Sequence, residues 1–581
     1  MKKFLIIVFF FQLGFCFGQQ TDYVDYERVE ATIGFALDSS LVYGSGKYSF
    51  KILKPVDSVF LDAKGFKLNM SLPDYVNTGL THTYDGNKIW IKGDFKEGVT
   101  YDFNFEYEVI PKKALYFVER NGEPQIWTQG QGKYTSNWLP SIDDVNDKIE
   151  FDLKLLFEDG YEVISNGVKK LEGKVHHTYQ NKYSFDMKQP MSSYLVALAI
   201  GKYDKKTETS KSGIPLEYYY YPEDSLKVEP TYRYSKQMFD FLEEEIDFAY
   251  PWQNYKQVPV HDFLYAGMEN TSCTIFSDAF MVDDIGFNDK NYINVNAHEL
   301  AHQWFGNLVT ATSGEHHWLQ EGFATYYALL AERDIFGDNH YYFKLYESAV
   351  NLGRQDIDGK GTSLLNPKSS SLTFYERGAW VLHALRTLVD NKVFKGAVKN
   401  YLEKHQFGNV ETSDFVKEVE RLYGKSLTTF VNVWIKQKEF PVEAAFGLLK
   451  NESTFINEYL MVDCQAKSSK CTDYLKYYVS DEAKVKVISQ APELVTSDTF
   501  KHGLKVRQAI SQYVTQIPEN LKTDYETLLD DKSYITIENA LYNLWSNFPE
   551  ERSKYLSKTR NIVGFSDKNV RLLWIVLNLS T

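Results

Sequence analysis

The hydrophobic period of this chain switches from two to that of a helix, and the switch is the strongest constraint on its fold. From about Gln19 to Tyr203 apolar and polar residues alternate in short runs, broken by Gly, Asp, Asn and Pro. Examples are Lys47-Tyr48-Ser49-Phe50-Lys51-Ile52, Tyr101-Asp102-Phe103-Asn104-Phe105-Glu106-Tyr107 and Glu150-Phe151-Asp152-Leu153-Lys154-Leu155. Successive side chains on a strand point to opposite faces, so this pattern predicts an antiparallel β domain. The polar run from Tyr203 to Gly213 predicts a loop or boundary. Past Pro230 the spacing predicts helices over Tyr232 to Phe248, Asn291 to Leu308, Trp318 to Phe336 and Phe374 to Val389, the last with Leu382, Leu385 and Leu388 on one side.

From about Phe440 the chain reads as helical again, with polar joints at Thr496 to Asp498, Asp530 to Ser533 and Ser566 to Asn569. Apolar segments follow these joints at intervals of about 30 to 36 residues, a helical-repeat spacing. A terminal repeat normally carries a polar outer face; whether further helices or the other domains cover this last one stays open. The chain is thus expected to be multidomain α+β: a β domain over 19–205, a mixed domain over 206–439 and a helical domain over 440–581.

Composition removes several classes of function. With 43% hydrophobic and 24% charged residues the chain is not a disordered one. Lys plus Arg total 64 against 78 Asp plus Glu, a net charge of −14. Without basic runs, neither nucleic acid nor an anionic membrane suits it as main partner. Residues 1–18 read as a signal peptide: Lys2 and Lys3, then an apolar stretch from Phe4 to Phe15, then Cys16 and Gly18 at the minus-three and minus-one positions of a cleavage site. The expectation is an exported bacterial protein, periplasmic or extracellular. Bulky Phe15 before Cys16 argues against a lipid anchor, and no later run is long enough to span a membrane. Of the remaining cysteines, Cys464 and Cys471 lie seven apart in a polar stretch, where a local disulfide and two free thiols are both open readings. Cys273 reads as a buried small hydrophobe. Trp127 and Trp138 read as core residues.

The chemistry is concentrated in Ala297-His298-Glu299-Leu300-Ala301-His302. Four residues of helix turn about 400°, so both imidazoles project from one face and can share one ion. Glu299 sits about 100° further round, within reach of a group bound to the ion but not of the ion itself. This is the H-E-x-x-H pattern of zinc hydrolases. Glu321 follows His302 by nineteen residues, at the start of the next predicted helix. An antiparallel return would bring its carboxylate to the same ion. Two His and one Glu with an open fourth position make a catalytic zinc set. Non-haem iron uses a similar set, but the Glu inside the histidine pair favours one Zn2+ per chain. Glu315, His316 and His317 read as loop or supporting residues, because neither His has a partner at ligand spacing.

These residues, together with Ala266-Gly267-Met268-Glu269-Asn270, Tyr375-Glu376-Arg377-Gly378 and Gln129-Gly130-Gln131, resemble the M1 family of zinc aminopeptidases. The resemblance covers nearly the whole chain. Ala266 departs from the family's usual first Gly, and Arg377 stands where Lys is usual. The resemblance implies an N-terminal β saddle, a thermolysin-like α/β catalytic domain and a HEAT-like helical domain closing over the site. It also implies peptide substrates with a free N-terminus. His298, His302 and Glu321 would hold zinc, Glu299 would be the general base and Tyr375 would stabilise the oxyanion. Glu269 and Gln131 would bind the free α-ammonium, and Ala266, Gly267, Met268 and Asn270 would line the substrate site, Met268 at the first side chain. The rival readings are a zinc endopeptidase, which Glu269 opposes, and the family's epoxide hydrolase branch. Asn366-Pro367-Lys368 lacks the carboxylate which that branch carries. A non-catalytic peptide-binding relative is the third rival, and it would have lost motif residues that are all present here.

Overall fold

A computed structural model describes residues 19–69, 79–175, 179–465, 470–477 and 479–581; the predicted signal peptide lies outside them. The alternating region forms three sheets of seven, four and three strands among the described residues. Phe103, Phe105 and Tyr107 point inward from one strand, as period two requires. One pairing departs from the antiparallel expectation. The strands β1 (Val24–Ala36) and β2 (Glu150–Glu158) run parallel, with Arg28 opposite Glu150. Many strands separate the two in sequence, so the connection is long enough for the crossover that parallel strands need. Trp127 and Trp138 are both buried.

A five-stranded sheet follows, in the order β3 (Asp204–Thr209), β4 (Pro215–Tyr220), β5 (Tyr255–Val260), β7 (Cys273–Ser277) and β6 (Gly267–Met268). Its first strand corrects the loop expected over Tyr203 to Gly213. β3 is an edge strand that pairs only with β4, and most of its residues are exposed. With neither face buried it shows no alternation, and its Lys205 and Lys206 are of the kind that guard sheet edges. At the other edge β6 pairs antiparallel with β7, with Gly267 opposite Phe276 and Met268 opposite Ile275.

Four helices frame the space beside β6: α1 (Ile293–Ala301), α2 (Trp318–Phe336), α3 (Asp338–Ile357) and α4 (Gly378–Val389). α2 is buried from Trp318 through Glu332, apolar nearly all round as a core helix must be. α1 stops seven residues before the expected Leu308. After His302 the chain folds back through Gly306, at φ +129°, whose N–H donates to the Val309 carbonyl. α4 is led in by a π-helical turn over Thr373–Arg377. The predicted helix over Tyr232 to Phe248 divides into Val228–Tyr232 and Ser235–Ile246, ended by Asp247 in the left-handed conformation.

One apolar core runs through the β sheets and these helices, and a second begins at Val462 among the C-terminal helices. Helices over Leu504–Tyr513, Tyr534–Asn547 and Asn569–Leu579 follow the three polar joints. Cys464 and Cys471 are bridged, with Cα atoms 5.9 Å apart, and Cys273 is free and buried. No helix among the described residues is long and apolar enough to cross a membrane.

Candidate active site

α1 presents His298 in its last turn and His302 just past its end. His302 Nδ1 lies 2.8 Å from the Phe305 carbonyl oxygen. A carbonyl only accepts, so Nδ1 carries a proton and Nε2 is the nitrogen left to face the ion. The reversal at Gly306 creates this contact, and a β-carbon there would stand 3.1 Å from His302 Nδ1.

The antiparallel return expected for Glu321 is made by α2, which holds it in its first turn. Its Oε2 lies 3.4 Å from His298 Nε2 and 3.3 Å from His302 Nε2, and the two Nε2 atoms are 3.0 Å apart. A tetrahedral zinc ion with bonds of about 2.0–2.1 Å separates its ligands by about 3.3 Å, so the donors and their spacing fit zinc. Glu321 Oε2 is buried and has no hydrogen-bond partner of its own. Its Oε1 is 3.2 Å from His317 Nε2. His317 therefore steadies the carboxylate, while His316 turns away to Thr412 Oγ1 at 3.1 Å.

Glu299 is buried beside this set. Burial pushes its carboxyl well above the usual range, opposed by His302 and reinforced by Glu269 and Glu321. Its side chain fills the place where Gly267 would carry a β-carbon, which would stand 2.5 Å from Oε1.

Gly267 and Glu269, two apart on an extended segment, face a cavity of about 990 Å³ that also takes in Gln131, Ala266, the ligand set, Glu299 and Tyr375. Met268 is not among the residues on the wall of this cavity. It is buried in the core, with Gln129 Nε2 3.6 Å from its sulfur. Asn270 is likewise absent from the cavity wall and buried, its Nδ2 donating to the Leu195 carbonyl at 3.3 Å. Glu269 is 3% exposed, and its Oε1 has no partner. Its backbone is firmly held: the carbonyl accepts from Asn307 Nδ2 at 2.7 Å and Gln303 Nε2 at 3.2 Å, and Gln303 Oε1 accepts from Ser272 N at 2.9 Å. Lys148 of the β domain donates to the Asn307 carbonyl at 2.7 Å.

Sequence reasoning did not find Gln303, Asn307 or Lys148. The sole local signal was an amide directly after the second histidine. It also missed the far wall of the cavity, where Glu332, Glu347, Glu376 and Tyr459 stand.

Tyr375 lies in the π-helical turn, and its ring is parallel to that of His298, with centroids 5.3 Å apart and planes at 4°. Burial raises its phenol, with Glu321, Glu269 and Glu299 adding to the effect, so it stays a neutral donor. Arg377 is buried and donates to four backbone carbonyls: Trp434 at 3.1 Å, Thr362 at 3.0 Å, Lys438 at 2.9 Å and Gln437 at 2.7 Å. Its role here is to tie the Tyr375 segment to a second π-helical turn at Val431–Lys436.

Comparison with known proteins agrees with this geometry. The peptidase M1 N-terminal domain matches residues 26–195, and the peptidase family M1 domain matches residues 231–434. Glutamyl aminopeptidase from Bos taurus is 28% identical over 318 residues, 52% of this chain and 33% of that protein. Leucyl aminopeptidase from Saccharolobus solfataricus is 27% identical over 427 residues, 70% of this chain and 53% of that one. Aminopeptidase N from Lactococcus lactis subsp. cremoris is 27% identical over 409 residues, 67% and 48% of the two chains. The chain thus spans a third to about half the length of these relatives. An M1 zinc metallopeptidase from Deinococcus radiodurans shares the fold with a TM-score of 0.62 at 18% identity, covering 72% of this chain and 95% of that one. Since both family domains match in succession, and the second encloses every residue of the ligand set, the chain belongs to peptidase family M1.

Proposed function

We propose that this protein is a zinc aminopeptidase that removes the first residue from peptides. The observation that carries the reading is Glu269 Oε1, a buried carboxylate oxygen without a partner, on the wall of the cavity that holds His298, His302 and Glu321. A free α-ammonium would satisfy it. An internal peptide segment would leave it desolvated and unpaired, which opposes binding.

When bound, a zinc ion supplies Lewis acidity at the first peptide carbonyl and makes water a stronger acid. The remaining roles fall to the chain. Glu299 takes the proton of the attacking water and passes it to the leaving amine, a use for which a raised carboxyl is suited. The Tyr375 phenol donates a hydrogen bond to the oxygen that gains negative charge. Gln131 adds a hydrogen bond at the ammonium, and Gly267 leaves the base room. The signal-peptide pattern of residues 1–18 supports an activity outside the cytoplasm.

The test is hydrolysis of a panel of aminoacyl-anilides beside their N-acetylated counterparts, with chelator and with zinc added back. Cleavage confined to free-amine substrates, lost with chelator and restored by zinc, is expected. Equal cleavage of blocked substrates would favour an endopeptidase. No turnover by folded, zinc-loaded protein would favour a binding protein. Export predicts that the mature protein recovered from outside the cytoplasm begins at Gln19.

A further inference from the structure

α2 and α4 cross at two glycines. A β-carbon on Gly322 would stand 2.7 Å from Gly378 Cα and 3.3 Å from the Phe374 carbonyl oxygen, and one on Gly378 would stand 2.6 Å from Gly322 Cα. These neighbours are backbone atoms, which no change of rotamer moves aside. Neither glycine has a positive φ, so backbone conformation does not call for glycine at either place. Glycine is also a poorer helix former than alanine. What the pair supplies is close approach.

The position of the crossing gives that approach a consequence. Gly322 directly follows Glu321, and Gly378 follows Tyr375 by three residues. The crossing therefore governs how far the Tyr375 segment stands from the ligand set. A hydrogen bond to a developing oxyanion depends on donor placement to within a few tenths of an ångström. If the helices were forced apart, the yielding partner would be the Tyr375 segment. Both segments border the cavity, α2 through Glu321, Thr325, Leu329 and Glu332, but α2 is buried throughout from Trp318 to Glu332 whereas Tyr375 and Glu376 are only partly buried.

We propose that Gly322 and Gly378 are a positioning pair, whose contact sets the distance from the Tyr375 phenol to the ligand set and so controls the chemical step rather than metal retention. The proposal rests on the role given to Tyr375 above.

The experiment compares Gly378→Ala and Gly322→Ala, each in the native background and in a Tyr375→Phe background, reading zinc per chain, kcat and KM on an aminoacyl-anilide. A displacement of about 1 Å at a reacting centre costs on the order of 10²-fold in rate. Expected are a kcat lower by about 10- to 100-fold, KM within about threefold, one zinc per chain, and less than about a twofold further loss when either glycine is replaced in Tyr375→Phe. Three results would overturn the proposal: full additivity with Tyr375→Phe, loss of zinc, or unchanged kcat. Failure of both alanine variants to fold would overturn it too, since the contact would then serve stability first. If Tyr375→Phe alone retains full kcat, the oxyanion role itself fails, an outcome separate from additivity.

Discussion

The Glu299 carboxylate stands where a side chain on Gly267 would be, with Oε1 2.5 Å, Cγ 2.7 Å and Cδ 2.8 Å from the β-carbon position. The base and the edge strand share one volume. Gly267→Ala is expected to turn Glu299 aside at little structural cost, since the crowded atoms belong to a flexible side chain. Loss of about 10²-fold in kcat is expected, with zinc content kept and the melting temperature little changed. Steady-state kinetics beside metal analysis checks this; a variant of native kcat would show that Glu299 tolerates the shift.

Glu269→Gln keeps the shape of the ammonium site and removes its charge. For free-amine anilides kcat/KM is expected to fall by about 10²-fold, while the ratio of free to N-acetylated substrate cleaved collapses toward unity. An unchanged ratio would mean that another group recognises the N-terminus.

Arg377→Lys exchanges a planar fork for a single ammonium. Four carbonyls accept from the guanidinium, and an ammonium cannot reach that spread of acceptors. Stability is expected to fall by about 2–4 kcal/mol, seen as a clear drop in the temperature of thermal inactivation. An equal temperature for the two proteins would remove the clamp from the account.

His383 gives stability a pH dependence. It is buried in α4, with Tyr341 Oη 3.0 Å from its Nδ1. Burial, aided by Arg333 and Arg386, pushes its pKa down to about 3. The unfolded chain takes up this proton near pH 6.5. Between about pH 6.5 and 3 the unfolded state binds one more proton than the folded state, so the contribution is fully present above 6.5 and is lost as pH falls. From pH 7.5 to 5.5 His383→Gln should lose about 1 kcal/mol less than the native protein, read from urea unfolding of both. An identical loss would place the titration elsewhere.

What the sequence made legible was what short-range geometry decides. His298, Glu299 and His302 share one helical segment whose period is known in advance, and Glu321 needs one turn to reach them. The unread parts depend on neighbours far along the chain. β3 shows no alternation because neither of its faces is buried. α1 ends early because Gly306 turns the chain to make the His302 contact. The burial of Met268 was not legible because β6 is only two residues long, too short for alternation to show in a string of letters. Gln303 and Asn307 hold Glu269 from more than thirty positions away, and no spacing rule reaches that far.

The bond from Lys148 to Asn307, which in turn holds Glu269, makes the active site a joint possession of more than one domain. Gln131 enters the cavity from a turn of the β domain and Tyr459 from the C-terminal helices. A trimmed fragment that keeps only residues 231–434, every ligand included, would still bring two histidines and a glutamate together. It would lack the scaffold against which the ammonium-binding carboxylate is aligned. For anyone building a minimal or chimeric enzyme, the portable unit has to include every domain that lines the cavity.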